Sequence, residues 1–337
     1  MVKLNVLDYA VIDEGKNAET ALQESVQLAR LAEHLGYKRF WVAEHHDVPA
    51  FASSSPEMLM MRILSETTTL RLGSGGVMLP HYAPLKVAEQ FRMLEAFYPS
   101  RVDLGIGNNP GTAIVKRYMQ GHRPQDVDYE QRIADVRALL TADTWSTHLR
   151  VATAQPFITT TPEMWLLSTS ESSARLAARQ GMGFTIGTFL LPYAEAIHQA
   201  AESVCAYREA FQASSLHMAS NVMLATFVVV GDTEEEAERY AQALDVWLLG
   251  KQHFAEFQHF PSYETAQDYP LNEDDRALIA QHRARMVIGT PTQVKAQLDT
   301  MIERFDADEL LIVPLVPTIE HRSKTLTLCA NMYKEKG

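Results

Sequence analysis

The chain has 337 residues, of which 46% are hydrophobic and 21% are charged, a composition typical of a globular protein with a large buried core. Its formal net charge of −12 disfavours binding to the phosphate backbone of nucleic acids. The sequence has no run of about 18 apolar residues, the length that a membrane-spanning helix needs.

Short apolar strands alternate with longer amphipathic helices along the chain. The first strand is predicted at Lys3–Asp8, and apolar residues at the spacing of one helix face predict a helix at Thr20–Leu35. The other strands are predicted at Arg39–Val42, Leu70–Gly75, Val102–Gly107, Met164–Leu167, Gly183–Gly187, Val222–Val230 and Glu309–Val313. The other helices are predicted at Pro56–Thr67, Leu85–Phe97, Asp128–Leu140, Glu171–Gln180, Tyr193–Phe211, Thr233–Leu249 and Pro291–Phe305.

Eight such repeats predict an α/β fold with a parallel sheet covered by helices. An open doubly wound sheet has the same local pattern, but the count of eight favours closure into a (β/α)8 TIM barrel. No GxGxxG sequence follows the first strand, which argues against a dinucleotide-binding Rossmann domain. We expect one domain over residues 1–337, with aromatic residues such as Trp41 and Phe97 in its core.

One segment interrupts the repeat between strand seven and the last strand. Residues His253–Asp275 are rich in aromatic residues and contain two prolines, which predicts an irregular insertion within about residues 250–285. Long connections at the carboxyl ends of barrel strands commonly shape the substrate entrance.

The cysteine content and the amino-terminal residues bear on the compartment. Cys205 and Cys329 are the two cysteines of the chain, and they match no zinc-binding or CxxC spacing. Such sparse cysteine use is typical of a reducing compartment. The first residues show neither the basic nor the apolar region of a secretory signal, so we expect a cytoplasmic protein.

Polar residues and glycines collect directly after the predicted strands. In a parallel barrel the active site is built where the strands end, so this clustering predicts a site at the carboxyl end of the barrel. The residues concerned are Asp8 and Tyr9 after strand one, Glu44, His45 and His46 after strand two, Gly75 and Gly76 after strand three, Asn108 and Asn109 after strand four, and Ser168, Thr169, Ser170, Ser172 and Ser173 after strand five.

The hydroxyl-rich run after strand five has two interpretations. Serine and threonine are good N-cap residues, so one of them can simply begin the next helix. Hydroxyls and free backbone N–H groups at a helix N-terminus also form an anion site, which suits a phosphate. Five hydroxyls within six positions support the two interpretations about equally.

The glycines and histidines at the other strand ends are also ambiguous. Gly75 and Gly76 would allow a flat ligand to approach closely, but a bulge or a barrel corner explains them as well. His45 and His46 point to opposite sides if the segment is extended, and one of them could exchange protons near neutral pH. Two structural histidines are the alternative. The HExxH spacing of zinc proteases is missing here.

Several motifs together resemble the bacterial-luciferase-like flavin monooxygenases, and in particular their single-chain bacterial members. These motifs are RFWVAEHH, LRLGSGGVMLP, PLKVAEQFRMLEAFYPSRVDLGIG, MVIGTPTQVKAQL and DELLIV. The resemblance runs from about Leu4 to the C-terminal helix, and their ordered combination is more specific than any one of them. It implies a luciferase-like barrel that binds FMN or reduced FMN, commonly as a homodimer, and oxygenates a small organic substrate with O2.

The resemblance also implies roles for individual residues. His45 matches the family's catalytic histidine, and Gly75 and Gly76 match a pair with an unusual, often cis, peptide behind the flavin ring. Leu7 and Asp8 end strand one near that ring. The phosphate-binding turn after strand five corresponds to Thr169, Ser170 and Ser173.

Asn108 departs from the family pattern, which commonly has an arginine at this position that pairs with the FMN phosphate. Asparagine keeps hydrogen-bond donors but loses a charge-assisted contact worth roughly 1.5–3 kcal/mol. We therefore expect weak FMN binding, with reduced FMN as a diffusible cosubstrate supplied by a separate flavin reductase. Arg101 and Arg175 are candidates to replace the missing charge.

Three functions remain open from the sequence. The first is a monooxygenase that uses reduced FMN, with a deazaflavin-dependent oxidoreductase as a variant of it. The second is a non-catalytic flavin-binding protein on the same scaffold, motivated by Asn108. The third is a metal-dependent hydrolase using Asp8, Glu44 and His45, which offer too few ligands for a convincing metal shell.

Overall fold

Nine parallel strands form the sheet at the centre of the molecule. The computed structural model describes residues 2–121, 128–141, 152–191 and 196–334. Within them the strands are β1 (Lys3–Asp8), β2 (Arg39–Val42), β3 (Arg71–Met78), β4 (Val102–Gly107), β5 (Glu163–Leu167), β6 (Gly183–Gly187), β7 (Val222–Val230), β8 (Val287–Gly289) and β9 (Glu309–Val313).

Eight of the nine strands close into a barrel. The order is β6-β5-β4-β3-β2-β1-β9-β7, and pairing of β6 with β7 completes the ring. The short strand β8 pairs only with the last three residues of β7, Val228–Val230, outside the ring. The prediction of a closed (β/α)8 barrel is confirmed, with the predicted eighth strand observed as β9.

The strands are joined by twelve helices within the described residues. They are α1 (Ala18–Leu35), α2 (Pro56–Leu64), α3 (Pro84–Phe97), α4 (Ala113–Gln120), α5 (Tyr129–Thr141), α6 (Glu171–Arg179), α7 (Ala196–Ala210), α8 (Glu234–Leu248), α9 (Tyr263–Gln267), α10 (Glu273–Arg283), α11 (Pro291–Phe305) and α12 (Ile319–Tyr333). The first three residues of the helix predicted at Tyr193–Phe211 lie outside the described residues.

The outer layer of the barrel consists of α1, α2, α3, α5, α6, α7, α11 and α12. Helix α11 contacts both α7 and α12, and so occupies the place between them. Helix α8 instead contacts α9 and α10, and its Trp247 ring packs against Phe51, which follows β2. The helix predicted at Thr233–Leu249 is thus present as α8, which packs on β7 and β8 and also reaches the end of β2 through Trp247.

The predicted insertion is more regular than expected. It contains α9 and α10, and a capping box between Asn272 and Asp275 begins α10. Positive φ angles occur in its first part, where Gln252, His253 and Phe254 have values of 52°, 56° and 66°. Backbone hydrogen bonds fasten Phe260 to the segment after β1, so this part of the chain lies over the carboxyl end of the barrel.

Layers of side chains fill the amino-terminal half of the barrel interior. Arg39 is fully buried and donates to Asp103 (2.6 Å), Glu163 (2.8 Å) and Glu309 (2.9 Å). Above this layer the rings of Trp41 and Trp165 meet edge to face at 5.7 Å, and both are fully buried. A ligand must therefore approach from the carboxyl ends of the strands, as in other barrels of this type.

Two aromatic residues expected in the core have different positions. Trp41 is buried as predicted, but the side chain of Phe97 at the end of α3 is 64% exposed. Phe97 lies on the outer face of α3, whereas Val87, Phe91 and Leu94 form its buried face.

In the described part of the chain, no helix combines the length and apolar character needed to cross a bilayer.

Candidate active site

The carboxyl end of the barrel, which we call the rim, lacks side chains at Gly75 and Gly76 of β3. The Gly75–Gly76 peptide is cis, and the pairing of β3 with β4 shifts register between Ser74 and Val77. Ser74 holds this bulge, since its hydroxyl donates to the Gly105 carbonyl (2.8 Å) and accepts from the Gly105 N–H (3.1 Å). Both glycines of the pair are partly exposed, so a flat ligand could lie against them.

A side chain on either glycine of this pair would be crowded by its neighbours. A Cβ atom on Gly75 would lie 2.5 Å from Cδ1 of Leu7, and a Cβ atom on Gly76 would lie 3.0 Å from the Gly105 backbone. Leu7 therefore reaches the glycine pair from β1. The unusual peptide that the family resemblance implied at Gly75 and Gly76 is present.

Asp8 faces the opposite way from Leu7. Its carboxylate accepts from the Ser25 hydroxyl of α1 at 2.5 Å, on the outer side of the strand. Burial raises the pKa of Asp8 above its ordinary value. Its backbone carbonyl accepts from the Ala43 N–H at 2.9 Å. The structure thus brings Leu7 to the rim but places the Asp8 carboxylate between β1 and α1.

Glu44 connects the end of β2 to the end of β3. Its buried carboxylate accepts from the Met78 N–H (2.9 Å) and the Tyr82 hydroxyl (2.6 Å), and it pairs with His46 Nε2 (2.7 Å). Burial and the adjacent carboxylate raise the pKa of Tyr82. The sequence indicated Glu44 as a strand-end site residue and as a candidate metal ligand, not as a link between strands. An acidic residue directly after a fully buried strand was the available signal for this structural role.

His45 points away from the Glu44 cluster into an aromatic environment. Its ring lies edge-on to Tyr9 at 4.8 Å and tilted against Phe51 at 5.0 Å. Its Nδ1 atom is shielded from solvent without a hydrogen-bond partner, while the residue as a whole is partly exposed. Burial lowers the pKa of His45 to about 4, so the imidazole is neutral at pH 7. The expectation that adjacent histidines face different sides is confirmed.

The end of β4 is exposed and carries no charged side chain. Asn108 and Asn109 are both exposed, and Asn109 Oδ1 accepts from the Gly111 N–H at 2.9 Å to form a turn before α4. Arg101 cannot replace the missing arginine, because it precedes β4 and donates to the Thr67 and Leu70 carbonyls at the amino end of the barrel. Arg175 lies one turn into α6 and pairs with Glu171 at 2.8 Å.

The end of β5 presents hydroxyl groups at the N-terminus of α6. Ser170 is the N-cap, and its hydroxyl accepts from the Ser173 N–H at 3.3 Å. The same hydroxyl lies 3.2 Å from that of Ser172 and 3.0 Å from that of Ser173. Ser168 and Thr169 precede them, and both are partly exposed. The capping interpretation is confirmed, and the remaining hydroxyls stay available to a ligand.

The glycine pair and the hydroxyl turn lie on the same rim of the barrel. Strand β4 alone separates β3 from β5, so the two features are about 10 Å apart given the usual spacing of paired strands. His45 follows β2 on the other side of β3, with Leu7 beyond it on β1. One ligand with a flat ring and an anionic tail could therefore contact all of them.

The ligands of the metal-dependent alternative are not brought together. The Glu44 carboxylate is engaged by Met78, Tyr82 and His46, whereas the Asp8 carboxylate faces α1. Among residues 2–121, 128–141, 152–191 and 196–334, no group of three histidine, cysteine, aspartate or glutamate side chains could hold a metal ion.

Comparison with known proteins identifies relatives over the whole chain. A family model described as luciferase-like monooxygenase matches residues 2–308. The uncharacterized protein YceB of Bacillus subtilis is 38% identical, with 99% of this chain and 100% of YceB covered. The N-acetyl-S-alkylcysteine monooxygenase of the same organism is 31% identical, with 95% of each chain covered.

Solved structures share the same architecture. The crystal structure of apo-MsnO8 has a TM-score of 0.87 and 35% identity, with 99% of this chain and 98% of that chain covered. The oxygenating constituent of 3,6-diketocamphane monooxygenase from Pseudomonas putida, in complex with FMN, has a TM-score of 0.68. At 16% identity over 98% of this chain and 97% of that chain, the second likeness concerns the fold alone.

Proposed function

The chain belongs to the luciferase-like monooxygenase family, and from this premise we propose that it uses reduced FMN and O2 to oxygenate a small organic substrate. In such a reaction one oxygen atom enters the substrate and the other leaves as water, with two electrons supplied by the reduced flavin. Bound FMN would provide this redox chemistry, and the protein would position the reactants, exclude water and move protons.

The observation that carries this proposal is the shared rim of the glycine pair and the hydroxyl turn. Gly75, Gly76 and Leu7 would lie against the flavin ring, because the rim there lacks side chains that would obstruct it. Thr169, Ser170 and Ser173 would bind the phosphate through hydroxyls and the free N–H groups of α6. The ribityl chain of the flavin would cross the end of β4.

His45 is the proposed catalytic residue. It follows β2 next to the glycine pair, and its Nδ1 is shielded while the residue retains an accessible surface. A neutral imidazole can accept a hydrogen bond or a proton from a substrate on that accessible surface. Replacing His45 by glutamine should therefore lower the turnover rate and leave flavin affinity nearly unchanged.

Asn108 makes the proposed phosphate site nearly neutral. It lies between β3 and β5 on the rim, where an arginine would pair with the phosphate, and Arg175 is already paired with Glu171. Loss of a charge-assisted contact supports weak binding and a diffusible reduced FMN. A separate flavin reductase would then supply the reduced cofactor.

A flavin titration tests the phosphate site. Wild type and Asn108→Arg are titrated with FMN and with riboflavin, which lacks the phosphate. We expect the variant to bind FMN about ten- to a hundredfold more tightly and riboflavin equally well. Equal tightening for both flavins, or none for FMN, would contradict the proposed position of the phosphate. The deazaflavin cofactor is titrated in the same way, to test the alternative of a deazaflavin-dependent oxidoreductase.

Oxygen incorporation distinguishes catalysis from storage. The protein is supplied with reduced FMN, isotopically labelled O2 and a panel of organic compounds, and products are examined by mass spectrometry. Labelled product that is lost in His45→Gln supports the monooxygenase. Tight flavin binding without labelled product across the panel would favour the non-catalytic flavin-binding protein.

We also propose that the protein is a cytoplasmic homodimer. Helices α2 and α3 contact each other and expose Met58 (71%), Met93 (47%) and Phe97 (64%), which a second copy could cover. Sedimentation should give a dimer that Phe97→Glu dissociates, whereas Met218→Glu, at an 82% exposed position elsewhere, should not.

The unpaired cysteines Cys205 and Cys329 are compatible with a reducing compartment.

A further inference from the structure

A short exposed turn joins the end of β4 to α4. We call residues 108–111 the asparagine turn, and Asn108, Asn109 and Gly111 in it are exposed. Gly111 has a φ angle of +68°, and its N–H donates to Asn109 Oδ1 at 2.9 Å. This internal bond shapes the turn, but it does not determine where the turn lies relative to the neighbouring strands.

A single hydrogen bond attaches the asparagine turn to another part of the barrel. His81 Nε2 lies 3.1 Å from the carbonyl oxygen of Pro110. A carbonyl oxygen can only accept, so Nε2 carries the hydrogen and donates it. Among the residues that the structure describes, no other hydrogen bond joins this turn to a different segment of the chain. His81 therefore provides the polar attachment of the turn.

The His81 ring is buried and makes this bond alone. The residue is 4% exposed, and burial lowers the pKa of His81, so the imidazole is neutral at pH 7. Because a neutral ring with its hydrogen on Nε2 has none on Nδ1, the second nitrogen is only an acceptor. Nδ1 is shielded from solvent and has no hydrogen-bond partner. The hydrogen-bonding capacity of the ring is thus directed to Pro110.

The segment that carries His81 is itself well fixed. His81 ends a single turn of 3-10 helix, Leu79–His81, directly after β3. The buried Glu44 carboxylate holds both sides of this turn, accepting from the Met78 N–H at 2.9 Å and from the Tyr82 hydroxyl at 2.6 Å. His81 is therefore a fixed point on the rim from which the exposed asparagine turn is held.

We infer that His81 is a positioning residue for the flavin phosphate, because it holds Asn108 beside the hydroxyl turn at the start of α6. Asn108 is the first residue after β4, Ser168 is the first after β5, and these two strands are paired. An amide binds a phosphate oxygen only within about 3.2 Å, so a displaced turn would lose that contact. This inference deepens the proposed flavin-dependent function and rests on it.

Titration of His81 variants with two flavins tests the inference. His81→Phe keeps a buried ring but removes the donor, and it should weaken binding of FMN by about fivefold or more. Riboflavin, which lacks the phosphate, should bind this variant within about twofold of wild type. His81→Gln places an amide N–H near the position of Nε2 and should restore most of the FMN affinity. Equal FMN affinities of wild type and a folded His81→Phe protein would overturn the inference.

His217 provides the matched control, because it makes the same kind of bond away from the rim. Its Nε2 lies 3.1 Å from the carbonyl oxygen of Met164, near the amino end of β5, and the residue is 8% exposed. His217→Phe should leave both flavin affinities at their wild-type values. A loss of FMN affinity as large as that in His81→Phe would indicate general loosening of the barrel and would contradict a specific role of His81.

A measurement on the flavin-free wild-type protein keeps the inference testable if His81→Phe does not fold. The nitrogen chemical shifts of the His81 ring distinguish its two neutral tautomers in nuclear magnetic resonance spectra. We expect the tautomer with hydrogen on Nε2. Hydrogen on Nδ1 instead would overturn the inference, because Nε2 could then not donate to the Pro110 carbonyl.

Failure of the two proposals can be told apart. A wild-type protein that has the Nε2 tautomer but binds no FMN would contradict the flavin-dependent function and, with it, the role of His81 toward the phosphate. FMN binding by wild type together with unchanged FMN affinity in His81→Phe would contradict the role of His81 alone.

Discussion

The shape of the rim depends on glycines in the paired strands β3 and β4. A Cβ atom on Gly105 would lie 2.1 Å from the Ser74 carbonyl oxygen, which belongs to the backbone of the bulge. At Gly107, two residues further along the same strand, the nearest atom would be 3.9 Å away. The rim therefore depends on the missing side chain at the first position and tolerates a methyl group at the second.

The two glycines of β4 form a matched pair for mutation. Gly105→Ala should lower the free energy of unfolding by about 2 kcal/mol or more, because the new Cβ atom overlaps backbone that cannot rotate away. Gly107→Ala should change it by less than about 0.5 kcal/mol. Urea unfolding followed by circular dichroism measures both. Similar stabilities of the two variants would show that the bulge adapts.

His45 should make the stability of the fold sensitive to mild acid. Its pKa is about 4 in the folded protein, because burial lowers it more than the neighbouring Glu44 carboxylate raises it, against 6.5 in the unfolded chain. Between these values the unfolded chain binds a proton that folded His45 does not, so stability falls as the pH falls. The loss between pH 7 and pH 5 should be about 2 kcal/mol.

Comparison of two histidine variants measures this contribution. His45→Gln should lose less stability than wild type between pH 7 and pH 5. His198→Gln, at a side chain that is 86% exposed, should keep the wild-type pH dependence. Urea unfolding at the two pH values gives the difference. If His45→Gln lost as much stability as wild type between pH 7 and pH 5, the His45 imidazole would be protonated as easily in the folded as in the unfolded state.

At the scale of elements, α6 has both a structural and a proposed binding role. Ser170 caps this helix as Thr233 caps α8, and each hydroxyl accepts one backbone N–H, at 3.3 Å and 3.2 Å. The α6 N-terminus differs because further serines surround the cap on the rim. A helix begins in the same way at both sites, but only α6 combines the cap with a cluster of hydroxyls facing the proposed phosphate.

Removing each cap separates the two roles. Ser170→Ala and Thr233→Ala should each lower the free energy of unfolding by about 1 kcal/mol, the usual worth of an N-cap side chain. Only Ser170→Ala should also weaken FMN binding, by several-fold, and it should leave riboflavin binding unchanged. Fluorescence titration of both flavins provides the measurement. Unaltered FMN affinity in Ser170→Ala would remove this serine from the phosphate site.

At the scale of the whole molecule, buried charges join the two ends of the chain. Arg322 of α12 binds Asp13 through two nitrogens, at 2.9 Å and 3.0 Å, and Glu24 of α1 at 3.0 Å. All three side chains are nearly inaccessible to water. Strand β1 pairs with β9 and α1 contacts α12, so the cluster links the first and last repeats of the barrel.

Breaking this cluster should be far more costly than breaking a surface ion pair. Arg322→Ala removes the buried partner of Asp13 and Glu24, leaving them only the half-buried Lys16, and should lower the free energy of unfolding by about 3 kcal/mol. Arg239→Ala removes an exposed pair with Glu264 and should cost less than about 1 kcal/mol. Thermal and urea unfolding compare the two variants. Equal losses would mean that water reaches the buried cluster.

Local sequence patterns were sufficient for most strands and helices. The bounds of β1, β2, β4, β6, β7 and β9 match the prediction, because apolar runs between turn residues specify buried parallel strands directly. Strand β3 continues three residues past the predicted end, through Gly75 and Gly76 to Met78. Its continuation depends on the hydrogen bonds between Ser74 and Gly105 of β4, which the pattern of β3 alone does not reveal.

The sequence alone determined the alternation of strands and helices, the count that closes the barrel, and the residues at the carboxyl ends of the strands, since these follow from spacing along the chain. Only the tertiary structure decided that the Asp8 carboxylate faces α1, that Glu44 fastens β2 to β3, and that α8 lies over the barrel end with Trp247 against Phe51. Each of these depends on contacts between segments far apart in sequence, and such contacts form only when the whole ring has closed.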